Sequence, residues 1–189
     1  DIDGLTDSEE VFNLTDGYQT LFSDDDSDDD GIIDGNEAAL GCSPNDADSD
    51  GDGLMDGLEV GLVTPQGVGT DPLLFNFDSD PSTTTDPDMA DSDSDGLVDG
   101  AEDLDLNGLK GPGETDPNDS DVDDDTLPDG WEVTYSLDPL SPSGLDGPTG
   151  DPDLDGLTNH QEYILGTDPR DDDSDGDGVD DITEVTIGT

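Results

Sequence analysis

The sequence has almost no cationic side chains. Its 189 residues include 56 Asp and Glu but only 2 Lys and Arg, Lys110 and Arg170, which leaves a formal net charge of -54. Repulsion on this scale opposes a compact chain. It also excludes nucleic acid and anionic membrane surfaces as electrostatic partners. The chain is therefore either disordered or held together by bound cations.

Apolar residues are also scarce. Hydrophobic residues make up 27% and aromatics 4% of the chain, which is too lean for one large core. The longest apolar run is three residues, as in Leu73-Leu74-Phe75, so no membrane-spanning helix is expected. The single cysteine, Cys42, excludes an intrachain disulfide. With one His, one Cys and no catalytic constellation around either, the sequence predicts that the protein is not an enzyme.

The abundant acidic residues follow a template. Residues 48–59 read DSDGDGLMDGLE, with Asp at positions 1, 3, 5 and 9, Gly at position 6 and Glu at position 12. This is the spacing of a calcium loop of the EF-hand type. Short carboxylates at alternate positions converge on a hard cation that takes six to eight oxygens, position 7 gives its carbonyl, and position 9 usually acts through a water. The glycine at position 6 permits the sharp turn.

The template recurs about eight times along the chain. The predicted calcium ligands are the residues at positions 1, 3, 5, 7, 9 and 12 of each loop: Asp1, Asp3, Leu5, Asp7 and Glu10 (positions 3 to 12 only); Asp26, Asp28, Asp30, Ile32, Asp34 and Glu37; Asp48, Asp50, Asp52, Leu54, Asp56 and Glu59; Asp91, Asp93, Asp95, Leu97, Asp99 and Glu102; Asp103, Asp105, Asn107, Leu109 and Glu114; Asp121, Asp123, Asp125, Leu127, Asp129 and Glu132; Asp151, Asp153, Asp155, Leu157, Asn159 and Glu162; Asp173, Asp175, Asp177, Val179, Asp181 and Glu184.

Besides the first loop, which lacks position 1, three of these loops depart from the template. Loop 121–132 has Thr126 where Gly is expected, which predicts strain or weaker binding. Loop 151–162 has Asn159 at position 9, where an amide serves as well as a carboxylate. Loop 103–114 has Gly111 at position 9, which leaves that position to water.

The segments between the loops do not fit an EF-hand, which has a helix on each side of its loop. Proline-containing turns such as Ser43-Pro44-Asn45-Asp46 and Asp168-Pro169 precede the loops. After each loop there is room for one or two helical turns, whose apolar residues we expect to form small cores. The predicted fold is mostly irregular: a calcium-stabilised linear array of EF-hand-like loops, each followed by a short helix, with little or no sheet.

The sequence predicts one continuous array over residues 1–189, uncapped at both ends, with a longer insert at 61–90. The insert either folds back as a strand-like cover or marks a lateral contact surface. Because the chain begins within a repeat, at Asp1 rather than Met, we expect a mature or excised segment. The uncapped ends predict head-to-tail association.

The combination of Gly-Thr-Asp-Pro at 166–169 with DSDGDGVDDITE at 173–184 resembles bacterial thrombospondin type 3 repeats, and the resemblance covers essentially the whole chain. It implies an extended chain wrapped around a row of about eight or more Ca²⁺ ions. It also implies a secreted or cell-surface, extracellular location. The disulfides between repeats of the eukaryotic form have no counterpart here, because Cys42 has no partner cysteine.

Two functional classes stay open at this point. The first is an extracellular structural protein, a calcium-rigidified rod or fibre subunit. The second is a dockerin-like, calcium-dependent protein-binding module or a surface adhesin stalk, although dockerins carry two loops with Asp at the last position. Possible glycan sites are the sequons at Asn13 and Asn118 and the cluster Ser82-Thr83-Thr84-Thr85.

Overall fold

The computed structural model describes residues 24–188 of the chain. It contains six short helices: α1 (Asp34–Leu40), α2 (Asp56–Glu59), α3 (Asp99–Glu102), α4 (Asp129–Thr134), α5 (Asn159–Leu165) and α6 (Asp181–Ile187). No strand occurs in this range, where pairing is limited to isolated bridge residues, at Ser43 with Asp46 and at Asp116 and Asp119. The predicted fold class, mostly irregular with short helices, is confirmed. None of the helices in 24–188 has the length and apolar content to cross a membrane.

Each helix begins inside a loop rather than after it, which corrects the sequence-based boundaries. The first helical residue is always position 9, and its N–H donates to the carbonyl of the residue just before the loop. These bonds are Asp34 to Asp25 (3.1 Å), Asp56 to Ala47 (3.0 Å), Asp99 to Ala90 (3.1 Å), Asp129 to Ser120 (3.1 Å), Asn159 to Gly150 (2.9 Å) and Asp181 to Asp172 (3.0 Å). The helix start therefore closes each of these loops and fixes the direction in which the position-12 glutamate projects.

Loop 103–114 has no helix. Its last four residues begin Gly111-Pro112-Gly113, and two glycines in so short a segment make a helix unfavourable. The Gly111 N–H donates to Glu114 Oε2 at 2.5 Å instead of to a carbonyl before the loop. This loop therefore lacks both the closing bond and the helix that carries the terminal glutamate elsewhere.

The described chain forms two compact units. Unit 1 comprises residues 24–92 and Val98–Asn118, with α1, α2 and α3; unit 2 comprises Asp93–Leu97 and residues 119–188, with α4, α5 and α6. Loop 91–102 contributes residues to both, since 93–97 are assigned to unit 2 and its remaining residues to unit 1.

The small core is built mainly from position 7 of the loops rather than from the helices. Ile32, Leu54, Leu127 and Leu157 at this position are all buried. Of the apolar residues at or after the ends of the loops, Leu58 and Leu137 are buried, but the prediction of small cores is wrong for those that are exposed: Val133, Ile164, Leu165, Val185 and Ile187. Helices this short, flanked by irregular chain, cover little of their own surface.

In unit 2, aromatic side chains connect two helices. Trp131 of α4 lies against Tyr135, with ring centroids 5.0 Å apart, and against Tyr163 of α5 at 5.6 Å with an edge-on geometry. Arg170 adds to the same region, because its guanidinium donates to the carbonyls of Tyr135 (2.7 Å) and Ser136 (2.6 Å). Aromatic pairs of this geometry each add about 0.5–1.5 kcal/mol beyond their buried area.

The insert at 61–90 folds back over unit 1 without forming a strand. Near loop 26–37, the Gln66 N–H donates to Gly31 O at 2.8 Å and the Thr70 hydroxyl donates to Asp26 Oδ2. The Val68 and Gly69 N–H groups donate to the carboxylate of Asp25. The insert thus covers loop 26–37 as irregular chain, so the expected strand-like form is wrong, and the alternative, a lateral contact surface, stays a prediction.

Candidate metal centres

Position 1 is oriented by the backbone of its own turn in the loops that begin at Asp26, Asp48, Asp103, Asp121, Asp151 and Asp173. The carboxylate accepts hydrogen bonds from N–H groups at positions 4 to 6, for example Asp26 from Gly31 (3.1 Å), Asp121 from Asp125 (2.9 Å) and Thr126 (2.8 Å), and Asp173 from Asp177 (3.1 Å) and Gly178 (2.9 Å). The chain reaches these contacts only by taking positive φ at positions 4 and 6, as at Asp29 (67°) and Gly31 (100°). The turn therefore directs the first ligand toward the interior of the loop.

Positions 3 and 5 are held in the same way. Position 3 accepts from the N–H of position 5, as in Asp28 from Asp30 (3.4 Å), Asp50 from Asp52 (3.2 Å) and Asp153 from Asp155 (3.1 Å). Position 5 accepts from the N–H of position 7, as in Asp30 from Ile32 (2.7 Å), Asp52 from Leu54 (2.7 Å) and Asp155 from Leu157 (2.6 Å). Each such bond uses only part of the capacity of an ionised carboxylate, which accepts about four bonds.

Position 12 provides the clearest indication of a cation. Glu37, Glu132 and Glu162 are 0% exposed, and both carboxylate oxygens of each have no hydrogen-bond partner among residues 24–188. In loop 26–37, Asp26 Oδ1 and Asp28 Oδ2 are also buried and also have no hydrogen-bond partner among the described residues. Buried carboxylate oxygens are costly unless they are paired or bind a metal. These oxygens fit a hard cation that takes only oxygen ligands, as Ca²⁺ does.

The electrostatics of the loops support this conclusion. Burial, followed by the charges of neighbouring aspartates, raises the pKa of Glu37 to about 10, of Glu59 and Glu132 to about 9, and of Glu162 to about 8. The same causes raise the pKa of Asp30 to about 8. Around neutral pH these carboxyls are ionised only if a cation offsets the burial and the mutual repulsion.

Position 9 has a role that the sequence did not indicate. Both oxygens of Asp56 accept from Ser49 at position 2, one from its N–H (2.8 Å) and the other from its hydroxyl (2.6 Å). The same pair of bonds joins Ser92 to Asp99 and Ser174 to Asp181. This carboxylate therefore ties the start of the loop to the start of the helix. The serine that recurs at position 2 of these loops is the sequence feature from which this contact with position 9 could have been predicted.

Asn159 shows why an amide suits position 9 of loop 151–162. Position 2 of this loop is Pro152, which has no N–H to donate to a carboxylate. Instead, Asn159 Nδ2 donates to the carbonyls of Leu145 (2.9 Å), Asp146 (3.0 Å) and Gly147 (2.9 Å). The amide thus holds the preceding segment against the loop, a contact that a carboxylate could not make.

Pairs of loops meet at a repeated contact. The second oxygen of the position-5 carboxylate accepts from the N–H of position 10 in a later loop: Asp30 from Gly57 (3.0 Å), Asp52 from Gly100 (3.0 Å), Asp95 from Gly130 (2.6 Å) and Asp155 from Ile182 (3.2 Å). The pair Asp95 and Gly130 skips loop 103–114, and the other three pairs join loops that follow one another. A Cβ on Gly57 would collide with the carbonyl oxygen of Asp30, and one on Gly130 would lie 2.6 Å from the Leu97 nitrogen. The glycine at position 10 is therefore a packing requirement at Gly57 and Gly130, whereas loop 173–184 makes the same bond with Ile182.

The same junctions bring acidic side chains of two loops together. Asp30 and Glu37 of one loop have ligand atoms within 4.8 Å of Asp56 in the next, and all three are buried. Asp52 and Glu59 likewise have ligand atoms within 4.8 Å of Asp99, and here Asp52 is half-buried. Within single loops, Asp26, Asp28 and Asp30 form such a group, as do Asp48, Asp50 and Asp52. The described structure thus places acidic clusters that could bind Ca²⁺ both within loops and at their junctions.

The remaining candidate residues differ in setting. Thr126 adopts φ of 86°, a strained conformation for a β-branched residue, at the point where the other loops have glycine. In loop 173–184, Glu184 lies more in solvent, and desolvation, followed by the charges of nearby aspartates, raises its pKa. Asp1, Asp3, Leu5, Asp7 and Glu10 of the first loop, and the sequon at Asn13, lie outside the described residues.

Comparison with known proteins supports the interpretation of the loops. A family model described as the bacterial TSP3 repeat matches the chain at residues 3–17, 48–61 and 151–171. Neither the comparison with curated proteins nor that with solved structures found a match. Two of the matched segments contain loops 48–59 and 151–162, whose geometry is described above. The resemblance of this chain to bacterial TSP3 repeats is therefore confirmed by three separate segments.

Proposed function

We propose that this chain is an extracellular structural protein in which bound Ca²⁺ orders the repeats, so that it acts as a stalk, spacer or fibre subunit. The observation that carries the proposal is the set of buried, unpartnered glutamate oxygens at position 12 of loops 26–37, 121–132 and 151–162. Calcium at the millimolar level found outside cells would saturate even weak loops of this type. The proposal gives the chain a mechanical rather than a catalytic role.

Each ion would act on more than its own loop. The position-5 aspartate that would bind the ion also accepts a hydrogen bond from the following loop, as Asp30 does from Gly57. Ion binding would therefore fix the carboxylate that docks the next repeat. Metal affinity becomes folding free energy when the site does not exist in the unfolded chain.

Association of copies is the finer part of the proposal. The contact between position 5 of one loop and position 10 of the next would also join separate copies head to tail.

A glycan on Asn118 stays a prediction; the side chain is exposed, and its Nδ2 donates to Thr84 O at 3.3 Å.

The experiment is small-angle X-ray scattering and sedimentation of the whole chain in millimolar Ca²⁺, in Mg²⁺ and in EGTA. We expect a well-defined particle in Ca²⁺ and an expanded chain in EGTA, with Mg²⁺ a weak substitute because it demands octahedral geometry and dehydrates reluctantly. Identical scattering in Ca²⁺ and EGTA would overturn the structural role. A single sedimenting species at all concentrations in Ca²⁺ would overturn only the head-to-tail association.

A further inference from the structure

The insert contacts loop 103–114 as closely as it contacts loop 26–37. Three of its residues donate to three consecutive carbonyls of that loop: Asn76 Nδ2 to Leu106 O (2.5 Å), Ser79 N–H to Asn107 O (2.8 Å) and Thr83 Oγ1 to Gly108 O (2.7 Å). The segment 76–83, called the clasp below, therefore follows the backbone of loop 103–114, which among the loops within residues 24–188 is the one without a helix.

The clasp brings a buried carboxylate to this loop. Asp78 is only 2% exposed; its N–H donates to Leu62 O at 2.8 Å and its Oδ1 accepts from the Asp80 N–H at 2.7 Å. A Cβ on Gly108 would collide with Asp78 Oδ1, so only a glycine allows this approach. Asp78 Oδ2 is buried and has no hydrogen-bond partner among the described residues.

A second buried carboxylate faces the same place. Asp103, position 1 of the loop, is 5% exposed, and its Oδ2 accepts from the Gly108 N–H at 2.6 Å. Its Oδ1 is also buried without a partner in residues 24–188. Burial is the main cause that raises the pKa of Asp78, and the charges of Asp80 and Asp103 add to it, which places the Asp103 carboxylate near that of Asp78. Lys110, the only cationic side chain in loop 103–114, lies 3.9 Å from Asp116 instead.

The loop itself lacks ligands at this point. Position 9 is Gly111, and Glu114 has one oxygen engaged by the Gly111 N–H. A cation in this loop would therefore find fewer carboxylate oxygens than one in loop 26–37. Two adjacent buried carboxylates, each with an unpartnered oxygen, cost less when a divalent ion lies between them.

We propose that Asp78 of the clasp is a calcium ligand, which together with Asp103 completes the ion site of loop 103–114 from outside the loop. The insert then has a chemical role. Position 9 of the loop is Gly111, which has no carboxylate, and Asp78 of the insert supplies an acidic ligand in its place. This inference rests on the proposed calcium binding, and it assigns a ligand at a position where the loop template has none.

The test is the number of Ca²⁺ ions bound by the full chain at saturation, counted by native mass spectrometry, for the wild type, Asp78→Asn and Asp80→Asn. Asparagine keeps the acceptor for the Asp80 N–H but removes the charge, so Asp78→Asn should bind one ion fewer. Asp80→Asn is the matched control, since Asp80 lies two residues away, is only half-buried and has a carboxylate that already accepts from Ser82, and this variant should bind the wild-type number of ions. Wild-type stoichiometry and affinity in Asp78→Asn would overturn the proposal.

Hydrogen exchange of the wild type provides a measurement that does not depend on how the variant folds. As Ca²⁺ is titrated, residues 76–83 and 103–108 should gain protection over the same range of free calcium. Protection of 76–83 that is already complete in EGTA would contradict the proposal. A wild-type chain that binds no Ca²⁺ at all would instead refute the proposed function, so the two failures are distinguishable.

Discussion

Loops 26–37 and 103–114 share one template but differ at their closing residues. In loop 26–37, Asp34 starts α1, and Glu37 is buried with both oxygens unpartnered. In loop 103–114, Gly111 starts no helix, and Glu114 bonds to the Gly111 N–H. The difference shows that the terminal glutamate depends on the helix start at position 9. The spacing of acids along the chain is not sufficient to place it.

The largest expected effect comes from removing a helix-borne glutamate. Glu132→Gln should weaken the ion of loop 121–132 on the order of 100-fold or more, since outer partners of a metal site alone are worth about 10–100-fold. Glu114→Gln should have a smaller effect, because one Glu114 oxygen is already engaged. Calorimetric Ca²⁺ titration of both variants checks this. An equal loss of Ca²⁺ affinity in Glu132→Gln and Glu114→Gln would contradict the proposed difference between the two kinds of loop.

The effect of pH should change sign with calcium. Without Ca²⁺, Glu37 has a folded pKa near 10, raised above its ordinary 4.5, so the folded state binds more protons than the unfolded state between these values. Its contribution to stability is then present below pH 4.5 and lost as pH rises toward 10. With Ca²⁺ the ion must displace those protons, so binding strengthens with rising pH.

Circular dichroism from pH 4 to 9 checks this reversal. In EGTA the signal of the ordered state should decrease as pH rises, because the calcium-free fold loses stability. In the calcium titration, the Ca²⁺ concentration at half-ordering should fall as pH rises, because calcium binding becomes stronger. A pH-independent calcium midpoint would show that the buried glutamates are not the ligands.

The contact between consecutive loops should be sensitive to one methyl group. In a free helix, Gly57→Ala would stabilise by about 1 kcal/mol through helix propensity. In this chain the Cβ meets the Asp30 carbonyl, so the variant should be destabilised by about 1–3 kcal/mol in saturating Ca²⁺. Urea unfolding of the wild type and the variant measures the change in the free energy of unfolding. A variant that is more stable than the wild type would rule out the docking of Gly57 on loop 26–37.

The incomplete loop should be convertible to the complete type. Replacing Gly111-Pro112-Gly113 by Asp-Gly-Ala, as found at Asp99-Gly100-Ala101, supplies position 9 and a helix start. We expect added helical signal and tighter Ca²⁺ binding at this loop. In the same background, Asp78→Asn should then cost less than in the wild type. An unchanged helical signal would show that the helix needs more than these three residues.

The smallest expected effect is relief of backbone strain. Thr126 takes φ of 86° at position 6, where glycine fits without penalty. Thr126→Gly should tighten Ca²⁺ binding by loop 121–132 by about 1 kcal/mol. The converse variant, Gly178→Thr in loop 173–184, should weaken its loop by a similar amount. Calorimetric Ca²⁺ titration of both variants checks this. If Thr126→Gly binds Ca²⁺ more weakly than the wild type, backbone strain at Thr126 does not weaken this loop.

Much of the local geometry could be predicted from the sequence. The spacing of Asp26, Asp28, Asp30 and Glu37 indicated a cation loop, and the described structure brings the three aspartates within 4.8 Å of one another. This succeeds because the loop is governed by contacts within twelve residues. The helix starts at position 9 were missed because they depend on a bond to the residue before each loop.

Contacts distant in sequence were not predictable from a repeat template. The junction between Asp30 and Gly57 spans 27 residues, and only the recurrence of glycine at position 10 hinted at it. The insert contains no repeat, so nothing in its spacing indicated that Asp78 would lie beside Asp103. Such contacts follow from packing of the whole unit rather than from local pattern.

The most direct test of the account is a calorimetric Ca²⁺ titration of the whole chain, followed in parallel by circular dichroism. The account predicts that ordering and ion uptake occur together and cooperatively, with at least one ion for each loop that carries a buried position-12 glutamate. A disordered spectrum that does not change at millimolar Ca²⁺, or a native spectrum that persists in EGTA at neutral pH, would contradict it.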